Sequence, residues 1–515
     1  MQTCSKFIAQ FASSIITTLG CFDRLIFKGY LPFGGDEHLN HWVDRMGLKR
    51  KDFLPRIQAM SEQLVEHAKR VAERAGVKYQ YLQGKVRKEH LIDGILREKR
   101  IVSGLIGVLC CQETCRTVKL KFGQNRPRLQ FAFRPQRVLY YYFLDKNFGR
   151  FYVRIQTWFP FTIQVYVNGH DWLAQQLTHR GIGFEQRDNA FTKLDNPQAA
   201  QKLADRFERL NWQATLDRWA RLVNPLLRVK DSLVRFFSYR WVIDQAEYST
   251  DVIFQSPEKL GALYPRLLDH AVVNFSAQDI LTFLGRRLHG RFEGEVLTKC
   301  EKSRHPGARI KHRMKENWLK MYDKFGQILR VETVINQPRE FKVRRRRIRD
   351  GKPKVLWCPM NKGIVNLHRY RAVAQAANHR YLKALSVVAD PAPAYHQVGE
   401  LIRPRKVGPR HFAGFNPARR EDVQLFRAIL SGDHVVKGFH NTQIRKLLYP
   451  ESTHTKDLRT VTRLRNSVGR QLKKLHVRGL LAKIPHTRRW QVTARGHQLL
   501  GTCVSLYYHG LANAA

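Results

Sequence analysis

One stretch of the chain, Leu319–Asn336, is dense in ionisable groups although its pattern predicts two strands around a turn. Its sequence, LKMYDKFGQILRVETVIN, alternates between apolar and polar positions on both sides of Phe325–Gly326. On the second strand Arg330 and Glu332 share one face, because successive strand side chains point to opposite faces. A carboxylate beside an arginine on a strand is commonly a structural ion pair, so a structural role and a catalytic role both stay open.

More acids lie on an earlier predicted strand, EYSTDVIF. If that strand pairs near Glu332, two or three carboxylates converge, and divalent metals prefer such hard oxygen ligands. We therefore expect a site for Mg²⁺ or Mn²⁺ whose ligands are Asp251, Glu247 and Glu332. The expected catalytic residues are Glu332, Asp323 and Tyr322.

The same segments resemble rolling-circle plasmid replication initiators of the group that lacks the His-hydrophobe-His metal motif. Those initiators have a strand with spaced acids, a glycine-containing stretch, a YDK-type strand and an RVE strand. The corresponding pieces here are DQAEYSTDV, LGRRLHGRFEGE, LKMYDK and LRVET, within about residues 240–345. Filamentous-phage replication proteins contain a similar pair of motifs, YDK followed by LR-E. The resemblance implies that Glu332 is a metal ligand or base and Asp251 a second ligand, with phosphate contacts from Lys320, Lys324 and Arg330.

The chain departs from that family at the nucleophile. Such initiators use a tyrosine shortly beyond the RVE strand to form a phosphotyrosine link to DNA. Here that neighbourhood reads NQPREFKVRRRR, with Phe341 and no tyrosine, while Tyr322 lies on the motif itself. Covalent strand transfer, hydrolysis by a metal-activated water, and binding without chemistry all remain open. Asp23, at the head of an early strand, is where an RNase H-like nuclease places its first acid, but one aspartate does not define that site.

The charge balance points to a polyanionic partner. The 515 residues contain 91 Lys and Arg against 42 Asp and Glu, a formal net charge of +49. Self-repulsion at such a charge is offset by nucleic acid, which we expect as the partner, with DNA favoured and RNA possible. No run of 18 apolar residues occurs, so no membrane association is expected. The scattered cysteines predict free thiols and a cytoplasmic protein.

The predicted fold class is α+β with several domains, antiparallel sheets with flanking helices, and a C-terminal winged helix. The expected domains are an N-terminal α+β domain of unknown role at 1–235 and a nucleic-acid-processing domain at 236–390. A linker at 391–414, a winged helix-turn-helix at 415–500 and a tail at 501–515 follow. The N-terminal SKFIAQFASSIITTLG has apolar residues at helical spacing and is expected to form an amphipathic helix.

The segment 415–500 resembles the winged helix-turn-helix of bacterial transcription regulators, since three predicted helices precede a basic hairpin. A helix of this kind reads the major groove, and the wing contacts the backbone or minor groove. The expected nucleic-acid contacts there are Arg459, Arg463, Arg470, Lys473, Lys474, Arg488 and Arg489. The densest basic run, Arg339–Lys354, adds Arg344, Arg345, Arg346 and Arg347. Protein contacts or a solvated face are the alternatives.

Two functions follow as hypotheses. The first is metal-dependent processing of DNA, by nicking or strand transfer, for a plasmid or mobile element. The second is a non-enzymatic DNA-binding regulator or an RNA-binding component of a ribonucleoprotein, in which the acids are ion pairs. Site carboxylates within about 5 Å of one another and open to a basic groove favour the first hypothesis. Glu332 buried against Arg330 and facing a closed core favours the second.

Overall fold

The computed structural model describes residues 5–84, 86–122, 127–230, 232–235, 237–289, 292–302, 308–349, 352–388, 398–453 and 457–510. Within these ranges the chain has an α+β fold, as predicted, built on one large sheet with four two-stranded sheets and many helices. In the part of the chain that is described, no helix combines the length and the apolar character needed to cross a membrane.

The helices are α1 (Ser5–Gln10), α2 (Asp36–Arg45), α3 (Arg50–Arg74), α4 (Lys88–Lys99), α5 (Gly169–Thr178), α6 (Pro197–Ala204), α7 (Trp212–Val223), α8 (Pro257–Asn274), α9 (Ala277–Phe283), α10 (Leu367–Leu385), α11 (Arg420–Ile429), α12 (Gly432–Lys437), α13 (Asn441–Leu448), α14 (Leu458–Val477) and α15 (Ala494–Ser505). The strands are β1 (Ile15–Tyr30), β2 (Tyr79–Tyr81), β3 (Gly104–Lys121), β4 (Arg128–Asp145), β5 (Gly149–Gln156), β6 (Ile163–Asn168), β7 (Phe184–Arg187), β8 (Ala190–Leu194), β9 (Arg240–Phe254), β10 (Val296–Lys302), β11 (Ala308–Met314), β12 (Asn317–Lys324), β13 (Ile328–Ile335), β14 (Lys342–Arg349), β15 (Lys352–Pro359), β16 (Arg405–Val407), β17 (Arg410–Phe412), β18 (Leu481–Lys483) and β19 (Trp490–Val492).

The large sheet has eleven strands in the order β10-β11-β12-β13-β9-β1-β6-β5-β4-β3-β2. The pairs β1–β6, β3–β4, β4–β5, β5–β6, β10–β11 and β11–β12 are antiparallel, and β2–β3 is parallel. Strands β13, β9 and β1 are neighbours in this order although they come from distant parts of the sequence. Their adjacency is what positions the acidic site.

The prediction of an N-terminal amphipathic helix is wrong beyond Gln10. Helix α1 ends at Gln10, and β1 begins at Ile15 and runs for 16 residues. The segment Ile15–Thr18 is entirely β-branched, which lowers helix propensity and suits a strand. The apolar residues at helical spacing therefore divide between a short helix and a central strand.

The chain divides into two compact units. One of them comprises Leu19–Tyr248 and Val334–Ala372. In this unit the segment from about 128 to 145 forms the single 18-residue strand β4. DKNFG forms the turn between β4 and β5, where Asp145 pairs with Gly149, whose φ is +67°. Helix α3 ends just before Gly76, whose φ is +63°.

The other unit comprises residues 1–18, 249–333 and 373–515. Its C-terminal part has the predicted order of helices followed by a hairpin, β18–β19. Thr493 caps α15, since its Oγ1 accepts from Gly496 N at 3.0 Å. The predicted linker contains a small hairpin, β16–β17, and its residues 391–397 lie outside the described residues. The predicted tail begins inside α15, where Cys503 is fully buried.

Neither unit is a continuous segment of the chain. Both strands β1 and β9 are divided between the units, at Thr18/Leu19 and Tyr248/Ser249.

Candidate metal centre

Glu332 on β13 is the acid with the most specific surroundings. It is 1% exposed, and all eight residues of β13 are buried. Lys320 Nζ donates to Oε1 and the Tyr322 hydroxyl donates to Oε2, each at 2.8 Å. Lys320 and Tyr322 project from the same face of β12 because they are two residues apart on a strand. A cation and a hydroxyl thus hold the two carboxylate oxygens in fixed positions.

Asp23 on β1 lies in a second polar network. Asn168 Nδ2 donates to Asp23 Oδ1 at 3.2 Å, Asn189 Nδ2 donates to the same oxygen, and His170 Nδ1 is 3.4 Å from it. Asn168 is oriented by its role as the cap of α5, because its Oδ1 accepts from the backbone N–H of His170 at 2.8 Å. The turn from β6 into α5 therefore fixes one face of the Asp23 carboxylate.

Glu247 on β9 completes the cluster. It is 6% exposed, and Gln245 Nε2 donates to its Oε1 at 2.6 Å. Carboxylate oxygens of Asp23, Glu247 and Glu332 all lie within 4.8 Å of one another, and all three residues are buried. Three carboxylates at this spacing repel one another unless a cation offsets their charge. The triad could hold a metal ion, and its oxygen-only donor set suits a hard divalent cation better than zinc or copper.

The negative charge of the triad affects the pKa of one neighbouring cationic side chain, Arg24. Burial alone would lower the pKa of Arg24 on β1, but the nearby charges of Glu247 and Asp23 and the Tyr166 hydroxyl outweigh burial and raise that pKa. The Arg24 guanidinium also lies over the ring of Tyr166, 5.9 Å from its centroid. Arg24 was not among the residues predicted from sequence.

The structure places Asp251 elsewhere than in the predicted ligand set. Arg330 Nε and Nη2 donate to its two carboxylate oxygens, each at 2.7 Å, and the side chains are 0% and 1% exposed. Both oxygens of Asp251 are therefore engaged by one buried guanidinium. The expected role of Arg330 as a phosphate contact also fails, since its side chain is closed to solvent.

Asp323 and Lys324 do not face a nucleic-acid surface either. Asp323 is 4% exposed and adjacent to Tyr322 on β12, so it projects from the opposite face. Burial raises the pKa of Asp323 to about 6, although a hydrogen bond from the Gly326 backbone opposes the rise. Lys324 is 3% exposed, with its Nζ 5.0 Å from the centroid of the Phe325 ring. Asp323 therefore lies on the face of β12 opposite to Lys320 and Tyr322, away from Glu332, and Lys324 is buried beside Phe325.

Most predicted cations outside this centre are exposed. On β14, Arg344, Arg346 and Arg347 are exposed and Arg345 is half-buried; on α14 and in the turn between β18 and β19, Arg459, Arg463, Arg470, Lys473 and Arg488 are exposed. Two differ: Lys474 Nζ lies 3.7 Å from the centroid of the Phe415 ring, and Arg489 donates to the Lys437 carbonyl and to His440 Nε2. Lys474 and Arg489 therefore also brace the C-terminal helices.

Of the predicted acids, the structure brings together Glu247 and Glu332 and adds Asp23. The sequence signal for Asp23 was its position at the head of a strand-forming run. The sequence alone does not reveal that β1 lies beside β9 in the sheet, an arrangement that brings together residues more than 200 positions apart. No protein-family model, no curated protein and no solved structure matches the chain.

Proposed function

We propose that this protein is a metal-dependent enzyme that cleaves phosphodiester bonds in DNA, for nicking or strand transfer. The observation that carries the proposal is the triad of buried carboxylates from Asp23, Glu247 and Glu332, with oxygens within 4.8 Å of one another. In a chain of net charge +49, such a concentration of buried negative charge is unusual, and a bound cation gives it a purpose. The proposed ion is Mg²⁺ or Mn²⁺.

A bound divalent ion would act as a Lewis acid on a phosphoryl oxygen and stabilise the charge that develops during cleavage. Asp23, Glu247 and Glu332 would hold it. Lys320, next to Glu332, is placed to neutralise a non-bridging phosphate oxygen. Arg24, whose guanidinium stays charged beside Glu247, has the same capacity.

Tyr322 supplies the strand-transfer form of the reaction. Its hydroxyl already donates a hydrogen bond to Glu332 Oε2 at 2.8 Å, so that carboxylate can take the proton. The phenolate oxygen would form a bond to phosphorus while the bond from phosphorus to one sugar oxygen breaks. That sugar oxygen takes up the proton held by Glu332, which leaves a phosphotyrosine and a free hydroxyl on the other strand end. In the hydrolytic form, water takes the place of Tyr322 and no covalent adduct forms. The 2.8 Å contact from the Tyr322 hydroxyl to Glu332 favours the first form.

The C-terminal helices give the preference for DNA. Residues 415–500 are proposed to form a winged helix, with α14 as the groove-reading helix and the β18–β19 hairpin as the wing. Arg459, Arg463 and Arg470 are exposed along α14. A helix of this kind fits the wide major groove of B-form DNA better than the deep, narrow groove of A-form RNA.

A second candidate function is a non-enzymatic DNA-binding regulator. The observation that favours it is the burial of Glu332, which is 1% exposed and forms an ion pair with Lys320. If that pair is purely structural, the protein binds DNA and leaves it intact. A cleavage assay on labelled DNA separates the two candidates.

The test is incubation of end-labelled single-stranded and duplex DNA with Mg²⁺ or Mn²⁺, using wild type, Glu332→Gln and Tyr322→Phe. Gln has nearly the same shape as Glu and removes the negative charge; its Oε1 can accept from Lys320, and its Nε2 can donate to the Tyr322 hydroxyl oxygen. We expect cleavage by wild type, a loss of at least about 100-fold in Glu332→Gln, and loss of the covalent protein–DNA adduct in Tyr322→Phe.

The matched control is Glu66→Gln, which removes a solvent-exposed carboxylate from α3. It should cleave like wild type. Equal cleavage by wild type and Glu332→Gln removes the catalytic role of the triad. DNA binding without cleavage by any variant supports the regulator instead.

A further inference from the structure

The chain between β13 and α10 forms an isolated basic hairpin, which we call the ribbon and define as β14 and β15. Its two strands pair antiparallel over eight residue pairs, from Lys342↔Pro359 to Arg349↔Lys352. The strands contain eight cations and no acid: Lys342, Arg344, Arg345, Arg346, Arg347, Arg349, Lys352 and Lys354. The pair belongs to a sheet of only two strands. Within the described residues, neither strand of the ribbon therefore receives support from the large sheet.

The cations of the ribbon directly oppose one another. Arg347 pairs with Lys354 and Arg349 with Lys352, in the half of the ribbon nearest its turn. All four of these side chains are exposed. Like charges directly opposite on antiparallel strands are destabilising, and a two-stranded hairpin alone is marginal in water. A polyanion bound along the ribbon removes this repulsion.

The other face of the ribbon combines arginines with exposed apolar side chains. Ile348 is 81% exposed, Val355 66% and Trp357 52%, and they alternate with Arg344 and Arg346 across the strands. This mixture suits contact with nucleic acid, where arginines meet phosphates and base edges while apolar groups contact thymine methyls and sugars. It is unsuited to a ribbon that stays fully solvated.

The base of the ribbon is anchored. The Arg344 and Arg369 guanidinium carbons each lie 5.2 Å from the centroid of the Trp357 ring, and Arg369 Nε donates to the Lys342 carbonyl at 2.7 Å. Arg345 Nη2 donates to Asn361 Oδ1 at 2.7 Å. Trp357 is thus held between cations, and the half of the ribbon nearest the turn has no aromatic residue. Base stacking, which single strands need, has no platform there.

We propose that the ribbon binds duplex DNA by entering its major groove, with the cations on its outer half contacting the flanking phosphates. Strands in a pair are about 4.8 Å apart, and a major groove about 12 Å wide admits such a pair with its side chains. The deep, narrow major groove of duplex RNA does not. The choice of DNA rests on the proposed function, and the groove insertion goes beyond it.

The test is a salt titration of binding by the variant R346Q/R347Q/R349Q/K352Q, made in EDTA so that it does not depend on whether the acidic triad cleaves. Each phosphate contact contributes about −0.9 to the slope of log K against log salt. For duplex DNA we expect the slope to become less negative by about 2–4 and the affinity at low salt to fall at least about 30-fold. Binding to single-stranded DNA and duplex RNA should change less than about 3-fold.

The control K69Q/R70Q/R74Q/K78Q removes the same charge from exposed residues on α3 and just beyond it, and should leave the duplex slope within about 1 of wild type. R346K/R347K/R349K keeps the charge and should restore the slope, which guards against misfolding as the cause. An unchanged slope in the first variant, or equal losses in the control, overturns the proposal. Equal losses on single-stranded DNA or RNA overturn groove insertion.

Discussion

The strand pair β12–β13 and the ribbon β14–β15 follow one another in the chain, and their charged side chains differ in burial: those of the first are largely buried and those of the second largely exposed. In the first, Arg330 is 0% and Glu332 1% exposed. In the second, Arg344, Arg346 and Arg347 are exposed. This difference in exposure follows from the signs of the charges in the two strand pairs. Acids on or beside β13 give its cations buried partners such as Asp251, whereas the strands of the ribbon contain no acid and cannot bury a charge without a large desolvation cost. The charged side chains of β13 are buried in the large sheet beside partners of opposite sign. The charged side chains of the ribbon are all cationic and stay largely exposed, where an external polyanion can contact them.

The largest expected effect in this comparison comes from the buried pair. Asp251→Asn leaves the Arg330 guanidinium fully buried without its counter-charge, which costs about 3–5 kcal/mol in comparable pairs. Urea unfolding at pH 7 measures this loss. Asp244→Asn is the matched control, because its pair with Lys362 is 3.5 Å long and about one-third exposed, so a change below about 1 kcal/mol is expected. A loss below about 1 kcal/mol for Asp251→Asn, together with lost metal binding, would return Asp251 to the ligand set.

Substitution of Asp323 should change the free energy of unfolding in the opposite direction, towards higher stability. Its pKa is raised to about 6 by burial, above the value of about 3.9 for an unfolded chain, so the folded protein prefers the protonated acid. Its ionisation costs stability progressively as the pH rises from about 4 to 6, and the penalty is full above that range. Asp323→Asn should therefore stabilise the protein by about 1–3 kcal/mol at pH 7 and by almost nothing below about pH 4. Unfolding curves at about pH 3.5, 5 and 7 check this.

A catalytic Asp323 predicts something else for the same variant. Cleavage would then fall by orders of magnitude while stability stayed near wild type. We expect instead that cleavage stays within about 3-fold of wild type, since Asp323 faces away from Tyr322.

The smallest effect concerns the ribbon without nucleic acid. Arg349→Gln removes one of two directly opposed cations, Arg349 and Lys352, and should change the free energy of unfolding by less than about 0.5 kcal/mol, towards stabilisation. Raising the salt concentration should reduce this gain, because exposed charges are screened. A destabilisation above about 1 kcal/mol would mean that Arg349 makes a structural contact and would weaken the contrast between the two strand pairs.

Local chemistry made parts of this fold predictable. Helix α3 ends where Gly76 adopts a left-handed conformation, and DKNFG forms the β4–β5 turn, because both features depend on a few adjacent residues. Lys320 and Tyr322, two residues apart on β12, both bond Glu332, which follows from the alternation of side chains along a strand. The β-branched run from Ile15 was a local signal for β1 that the helical spacing of the apolar residues concealed.

Long-range pairing was not predictable in the same way. Glu247 and Glu332 were expected to converge, but Asp23 joins them only because β1 lies beside β9 in the sheet. Asp251 fits the spacing of a ligand as well as Glu247 does, and the position of Arg330 across the strands decides against it. Nothing in the local sequence around Asp251 specifies which strand will lie next to it.

The most direct test of the central claim is metal binding itself. Mn²⁺ titration followed by electron paramagnetic resonance, on wild type, Glu332→Gln, Asp23→Asn and the control Glu66→Gln, counts bound ions and measures their affinity without any nucleic acid. We predict a tight site in wild type and in the control, and an affinity at least about 10-fold weaker in Glu332→Gln and in Asp23→Asn. Equal Mn²⁺ binding by all four proteins, or none by wild type, would contradict the assignment of the triad as a metal site.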